Sequence, residues 1–94
     1  MGAISQKSAE FLLRSRLAEA ETGDVDALFE LGVTFSTGRG GIAVDLVEAH
    51  KWFNLAALKG RADAISMRRE VAAMMSDAEI ATAQREARAW MTAH

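Results

Sequence analysis

Apolar residues recur at intervals of three and four along the whole chain and nowhere alternate over a strand-length run. That is the spacing of amphipathic helices. It predicts five of them. The first runs from Ser5 to Thr22, with Ala9, Leu13, Leu17 and Ala20 as its inner stripe and Gly23 as its C-terminal glycine. Asp24 caps the second, which carries Ala27, Leu28, Leu31, Gly32 and Phe35 on one face. Asp45 caps the third, with Glu48 as a capping-box-like partner, an inner face of Leu46, Ala49, Trp52, Phe53, Ala56 and Ala57, and Gly60 at its end. The fourth spans Ala62 to Met75 through Ala64, Met67 and Val71. Ser76 and Glu79 form a capping box for the fifth, whose stripe is Ile80, Ala83, Ala87 and Met91 with Trp90 beside it. All connections but one are a few residues long, which sets neighbouring helices antiparallel.

Composition narrows this picture without changing it. The chain has 94 residues, enough for one small domain, and half are hydrophobic, enough for a packed core. Pro and Tyr are absent, and Ala, Leu, Glu, Arg and Met favour helix. A formal net charge of −2 argues against nucleic acid as a partner. The lack of Cys removes disulfides, thiolate metal sites and thiol nucleophiles. The stretch MGAISQKSAEF has no signal-peptide core, and no apolar run reaches the ~20 residues that cross a bilayer. The expected compartment is the cytoplasm, with no membrane partner.

The chain repeats itself. Gly23 and Gly60 lie 37 residues apart, as do Ala20 and Ala57, Asp26 and Asp63, and Ala27 and Ala64. "AEAETGDVDA" and "AALKGRADA" are the same joint: a helix end, a glycine, then a helix with Ala four residues on. The similarity decays after Ala64, where Arg68-Arg69 stands in place of Leu31-Gly32.

The order Gly23, Ala27, Leu31, Gly32, Phe35, Gly38, Gly40, Asp45, Ala49, Trp52, Ala56, Ala57 and Gly60 resembles a Sel-one-like repeat, a relative of the tetratricopeptide repeat, over 38 consecutive residues. Two features depart from that family's pattern. The path from Gly40 to the capping Asp45 is one residue longer and lacks Pro, and the last two helices lack Leu-Gly and the glycine turn. The resemblance implies an α-α superhelix, or solenoid, fragment of five antiparallel helices of bacterial type. Residues 5–22 would be a half repeat, 23–60 a full repeat and 61–94 a degenerate capping repeat.

The glycine-rich stretch "TFSTGRGGIAVD" reads as a turn rather than a phosphate cradle. No strand precedes Gly38, no Gly-Lys-Ser/Thr follows, and the dinucleotide fingerprint is absent. Gly38 stops a helix, Gly40 and Gly41 swing the chain back, and Ile42 or Val44 anchors the turn. Gly32, inside a helix, costs ~1 kcal/mol against Ala. It fits a close helix approach, with Trp52 as the large residue lying across it.

No catalytic constellation emerges, so no enzyme activity and no cofactor are expected. His50 and His94 are not at metal-ligand spacing and are expected in solvent, leaving no metal site. Glu19, Glu21, Asp24 and Asp26 read as a capping and solvating set. Arg61, Arg68, Arg69, Arg85 and Arg88 read as ordinary exposed cations or as a surface for an acidic partner. Met67, Met74, Met75 and Met91 fall mostly on inner stripes.

Binding surface remains. In related repeats the first helix of each pair lines the concave side. Here that face presents Asp26, Phe29, Glu30 and Val33 from the second helix and Ser66, Arg69, Glu70 and Ala73 from the fourth. Phe29 is either an anchor for a partner's peptide or helix, or is covered by the first helix or the glycine loop. The expected function is a protein-interaction module, an adaptor or scaffold. The alternative is a small self-associating structural or regulatory protein. Phe11 and Leu12, off the stripe of the first helix, would then form a weak homodimer.

Overall fold

A computed structural model describes residues 6–94. Among these it contains five α-helices, a single-turn 3-10 segment and no strand: α1 (Gln6–Glu21), α2 (Val25–Thr37), the 3-10 turn (Arg39–Gly41), α3 (Leu46–Leu58), α4 (Asp63–Ala72) and α5 (Asp77–Ala93). Ser5, the expected start of the first helix, lies outside the described residues. The fold is all-α, with the helices packed on one another.

The caps explain the boundaries. Asp24 and Asp45 each accept a hydrogen bond from the backbone N–H three residues on, at Ala27 and Glu48. At α3 only half of a capping box forms, because the Glu48 carboxylate accepts from Lys51 Nζ and Trp52 Nε1 instead. At α5 the box is complete between Ser76 and Glu79. The start of α4 has Ala62 where α2 has Asp24, and no side-chain cap. This helix ends at Ala72, short of the expected Met75. Its chain tightens into three-residue bonds at Met74 and Met75 before Ser76 opens the next cap.

The two similar joints are one backbone motif. After α1 the N–H of Gly23 bonds to Ala20 O and that of Asp24 to Glu19 O. After α3 the N–H of Gly60 bonds to Ala57 O and that of Arg61 to Ala56 O. Both are Schellman turns, and both need a left-handed residue, supplied by Gly23 (φ +87°) and Gly60 (φ +103°).

The core gathers around α3. It packs against α2, α4 and α5, while α1 packs on α2. Phe53, Leu28, Leu31 and Leu55 are the largest fully buried side chains. Neighbours on three sides bury most of the circumference of α3, including Leu55 and His50, which the periodicity had left outside. Gly32 is a point of close approach between α2 and α3. The ring across it belongs to Phe53, not to Trp52 as expected: a Cβ on Gly32 would stand 2.5 Å from Phe53 ring carbons. Trp52 is buried on another side of α3, edge-on to Trp90 of α5 with centroids 5.8 Å apart. Trp90 stands 37 residues after Phe53, but Arg69 stands where that repeat offset would need Gly32. Accordingly α5 packs on α3, and α4 and α5 hardly approach each other.

The glycine stretch is a turn. Gly38 closes α2 with its N–H on Thr34 O, and the chain returns so that Asp45 N–H bonds to Phe35 O at 2.9 Å. Ile42 is half-buried as its anchor, whereas Val44 is exposed. Met67 and Met75 pack against the core, but Met74 and Met91 are exposed, contrary to expectation.

Candidate functional site

The face expected to bind a partner divides into an occupied half and an open half. On α2, Phe29 is half-buried, edge-on to Phe53 with centroids 5.4 Å apart, and the Arg61 guanidinium lies over its ring at 3.7 Å. That guanidinium also bonds Asp26 and Asp63, each at 2.9 Å. Arg61 therefore joins the start of α4 to α2 and covers the ring that was a candidate anchor. Glu30 is paired with Arg39 of the 3-10 turn at 2.7 Å, and Val33 packs against the core. Ser66, Arg69 and Glu70 of α4 and Ala73 just past its end are all exposed. Neither Arg69 nor Glu70 forms an ion pair among the described residues.

The acidic set at the α1–α2 joint behaves as caps and surface pairs: Asp24 caps α2, Glu19 meets Arg16, and Asp26 meets Arg61. Of the arginines, Arg68 reaches Asn54 of α3 and Arg85 bonds Thr82 within α5. Among the described residues no group of three His, Asp or Glu side chains could hold a metal ion. No described helix is long and apolar enough to cross a membrane.

His50 corrects the expectation of a solvated side chain. It is only 3% exposed, and its Nδ1 has no hydrogen-bond partner. Burial, and then the Arg68 charge, push its pKa below the ordinary value of 6.5. The surrounding helices thus favour neutral imidazole. His94 is exposed as expected, stacked on Trp90 with centroids 4.3 Å apart, and its Nδ1 lies 2.9 Å from Trp90 O.

Two concavities were not foreseen. The larger, about 360 Å³, lies where the C-terminal ends of α1, α3 and α5 meet. Leu55, Leu58, Trp90 and Met91 supply its apolar part, with Glu21 and Lys59 as its charges. It draws on residues more than 70 positions apart, Glu21 to His94, so no local pattern could have announced it. The smaller, about 110 Å³, lies between α1, α2 and the glycine turn, lined in part by Ala9, Leu12, Leu13 and Ile42. Beside it, Phe11 and Leu12 project from α1 with 67% and 50% of their surface exposed.

No family model, curated protein or solved structure matches this chain.

Proposed function

We propose that this chain is a protein-interaction module, an adaptor or scaffold built as a Sel-one-like, tetratricopeptide-related helical repeat. The observation that carries the reading is the pair of Schellman turns 37 residues apart, each followed by a helix with a buried alanine, Ala27 or Ala64. The Gly32–Phe53 approach adds to it, because the small-on-large contact falls at the Leu-Gly step of the repeat. In this reading 23–60 is the full repeat, stacked antiparallel in a solenoid fragment. The second copy has Arg69 where the first has Gly32, lacks that close contact, and serves as a cap. Helical-repeat faces take peptides or helices through apolar contacts, with charges setting register.

The open half of the face, around Arg69 and Glu70, is the surface we assign to the partner. Selection from a displayed peptide library is the test, with the parent and an Arg69→Glu/Glu70→Lys variant as baits. Peptides that bind the parent and lose about tenfold in affinity on the variant, with unchanged melting, support the assignment. Equal retention by both baits removes this face, and a library that yields no ligand at all removes the adaptor reading.

A further inference from the structure

We propose that two copies of this chain pair through α1, antiparallel, about a two-fold axis level with Leu13. This goes beyond the adaptor reading and does not depend on it. α1 has an apolar inner seam and an outer seam of small, hydroxyl and apolar residues. The inner one, Ala9, Leu13, Leu17 and Ala20, packs within the chain. The outer one recurs at intervals of three and four through Ser8, Phe11, Ser15 and Ala18, the spacing that keeps residues on one helical face, with Thr22 just past the helix end. All of these are exposed except Ser15, which is half-buried.

In the antiparallel direction the outer seam matches large residues to small ones. In an antiparallel helix pair, seam residues whose numbers sum to a constant share a layer. With the sum at 26, Phe11 lies over the partner's Ser15 and Ser8 over the partner's Ala18, large against small on both sides of the axis. On one flank Leu12 meets its own symmetry mate. On the other, Lys7 meets the partner's Glu21, and the symmetry makes that pair twice. Neither Lys7 nor Glu21 has an ion-pair partner among the described residues of its own chain. A parallel pairing would instead set Phe11 against Phe11, Ser15 against Ser15 and Lys7 beside the partner's Leu12, large on large and small on small. This match of charge and size is why the occupant is a second copy of the chain. The apolar surface also continues past Leu12 into the smaller concavity toward Ile42.

The pairing is weak by construction. A 16-residue helix is about 24 Å long, so the contact buries less than the ~1,200 Å² of a standard stable interface. Arg14 also faces its own symmetry mate across the axis, a like-charge contact. The dissociation constant is therefore expected in the micromolar range.

The cysteine-free chain makes a clean cross-linking test. Ser8→Cys and Ala18→Cys chains are mixed under mild oxidation at about 100 μM, with circular dichroism confirming that each folds. The expected product is the mixed disulfide, with little self-linking of either variant. Sedimentation equilibrium supplies the second measurement. Phe11→Glu should weaken association at least tenfold. Lys7→Glu should weaken it several-fold, and Lys7→Glu with Glu21→Lys should restore it. Arg14→Gln should tighten it. Self-linking of Ser8→Cys as efficient as the mixture would mean parallel pairing and overturn the proposal. So would a parent that stays monomeric at several hundred micromolar, or a charge swap that fails to restore what Lys7→Glu loses.

Discussion

Phe53 occupies the space that a side chain on Gly32 would need. Ring carbons stand 2.5 Å from the position of a Cβ there, closer than real Cβ contacts come. Two tendencies oppose each other at this site. Gly32→Ala gains up to ~1 kcal/mol of helix propensity. It also forces the ring of a fully buried Phe53 to move in a packed core, at a cost of about 1–3 kcal/mol. The clash wins, so Gly32→Ala should lower the urea midpoint. Adding Phe53→Leu should make the alanine less harmful than it is alone. A Gly32→Ala chain as stable as the parent would show that α2 and α3 do not approach this closely.

Trp52 is a core residue through a different contact. It is 3% exposed, its ring meets Trp90 edge-on, and its indole N–H donates to Glu48 Oε1 at 3.1 Å. Trp52→Ala should cost about 3–5 kcal/mol, the range for large aromatic truncations, and that is enough to unfold a marginal domain. Trp90→Ala should cost less, because Trp90 is half-buried. Together the two changes should cost less than their sum, since they share one contact. Chemical denaturation with near-ultraviolet circular dichroism reads all three variants, and strict additivity would mean the rings do not meet.

Burial of His50 makes stability depend on pH. Its folded pKa lies below the unfolded value of 6.5, first through desolvation and then through Arg68. Between those two values the unfolded chain binds more protons, so stability rises with pH across that window. Above about pH 7 this contribution is flat. As pH falls through 6.5 stability is lost, and the loss levels off below the folded pKa. Urea midpoints of the parent between pH 7.5 and 5 should fall more steeply than those of His50→Gln, and Arg68→Ala should reduce the slope in part. Parallel profiles for parent and His50→Gln would place the imidazole in solvent.

These residues also show what a linear pattern conveys and what it leaves out. The caps at Asp24, Asp45 and Ser76 and the turns at Gly23, Gly38 and Gly60 were legible, because each depends on a few adjacent residues and on local backbone geometry. The partner of Gly32 was not. Trp52 and Phe53 are about 100° apart on one helix, and which faces α2 depends on the rotation of α3 among its neighbours. His50 was misplaced for the same reason. Beside Lys51 it reads as surface, but α3 has helices on three sides and only Lys51 keeps a route outward, to Glu48 and Glu86. The concavity at the three helix ends and the cover of Arg61 over Phe29 are both products of tertiary packing.

That cover leads to the last prediction. The candidate face was expected to use Phe29 as an anchor, but the ring already has Phe53 at its edge and Arg61 over its face. Truncating it removes an aromatic pair and a cation–π contact, the first worth about 0.5–1.5 kcal/mol and the second about 0.5–1 kcal/mol, besides the buried area lost. Phe29→Ala should therefore lower the melting temperature clearly, while Arg69→Ala, on an exposed stretch of α4, should leave it within a degree or two of the parent. Arg61→Ala distinguishes the two roles of the ring. It uncovers Phe29 without removing it and severs the link from α4 to Asp26. If Phe29 serves the fold, Arg61→Ala lowers stability moderately and no partner gains affinity. If the ring is an anchor held in reserve, Arg61→Ala raises the affinity of a selected peptide, and Phe29→Ala abolishes that gain. Thermal melts and peptide titrations on the three variants decide between them, and the packing favours the first outcome.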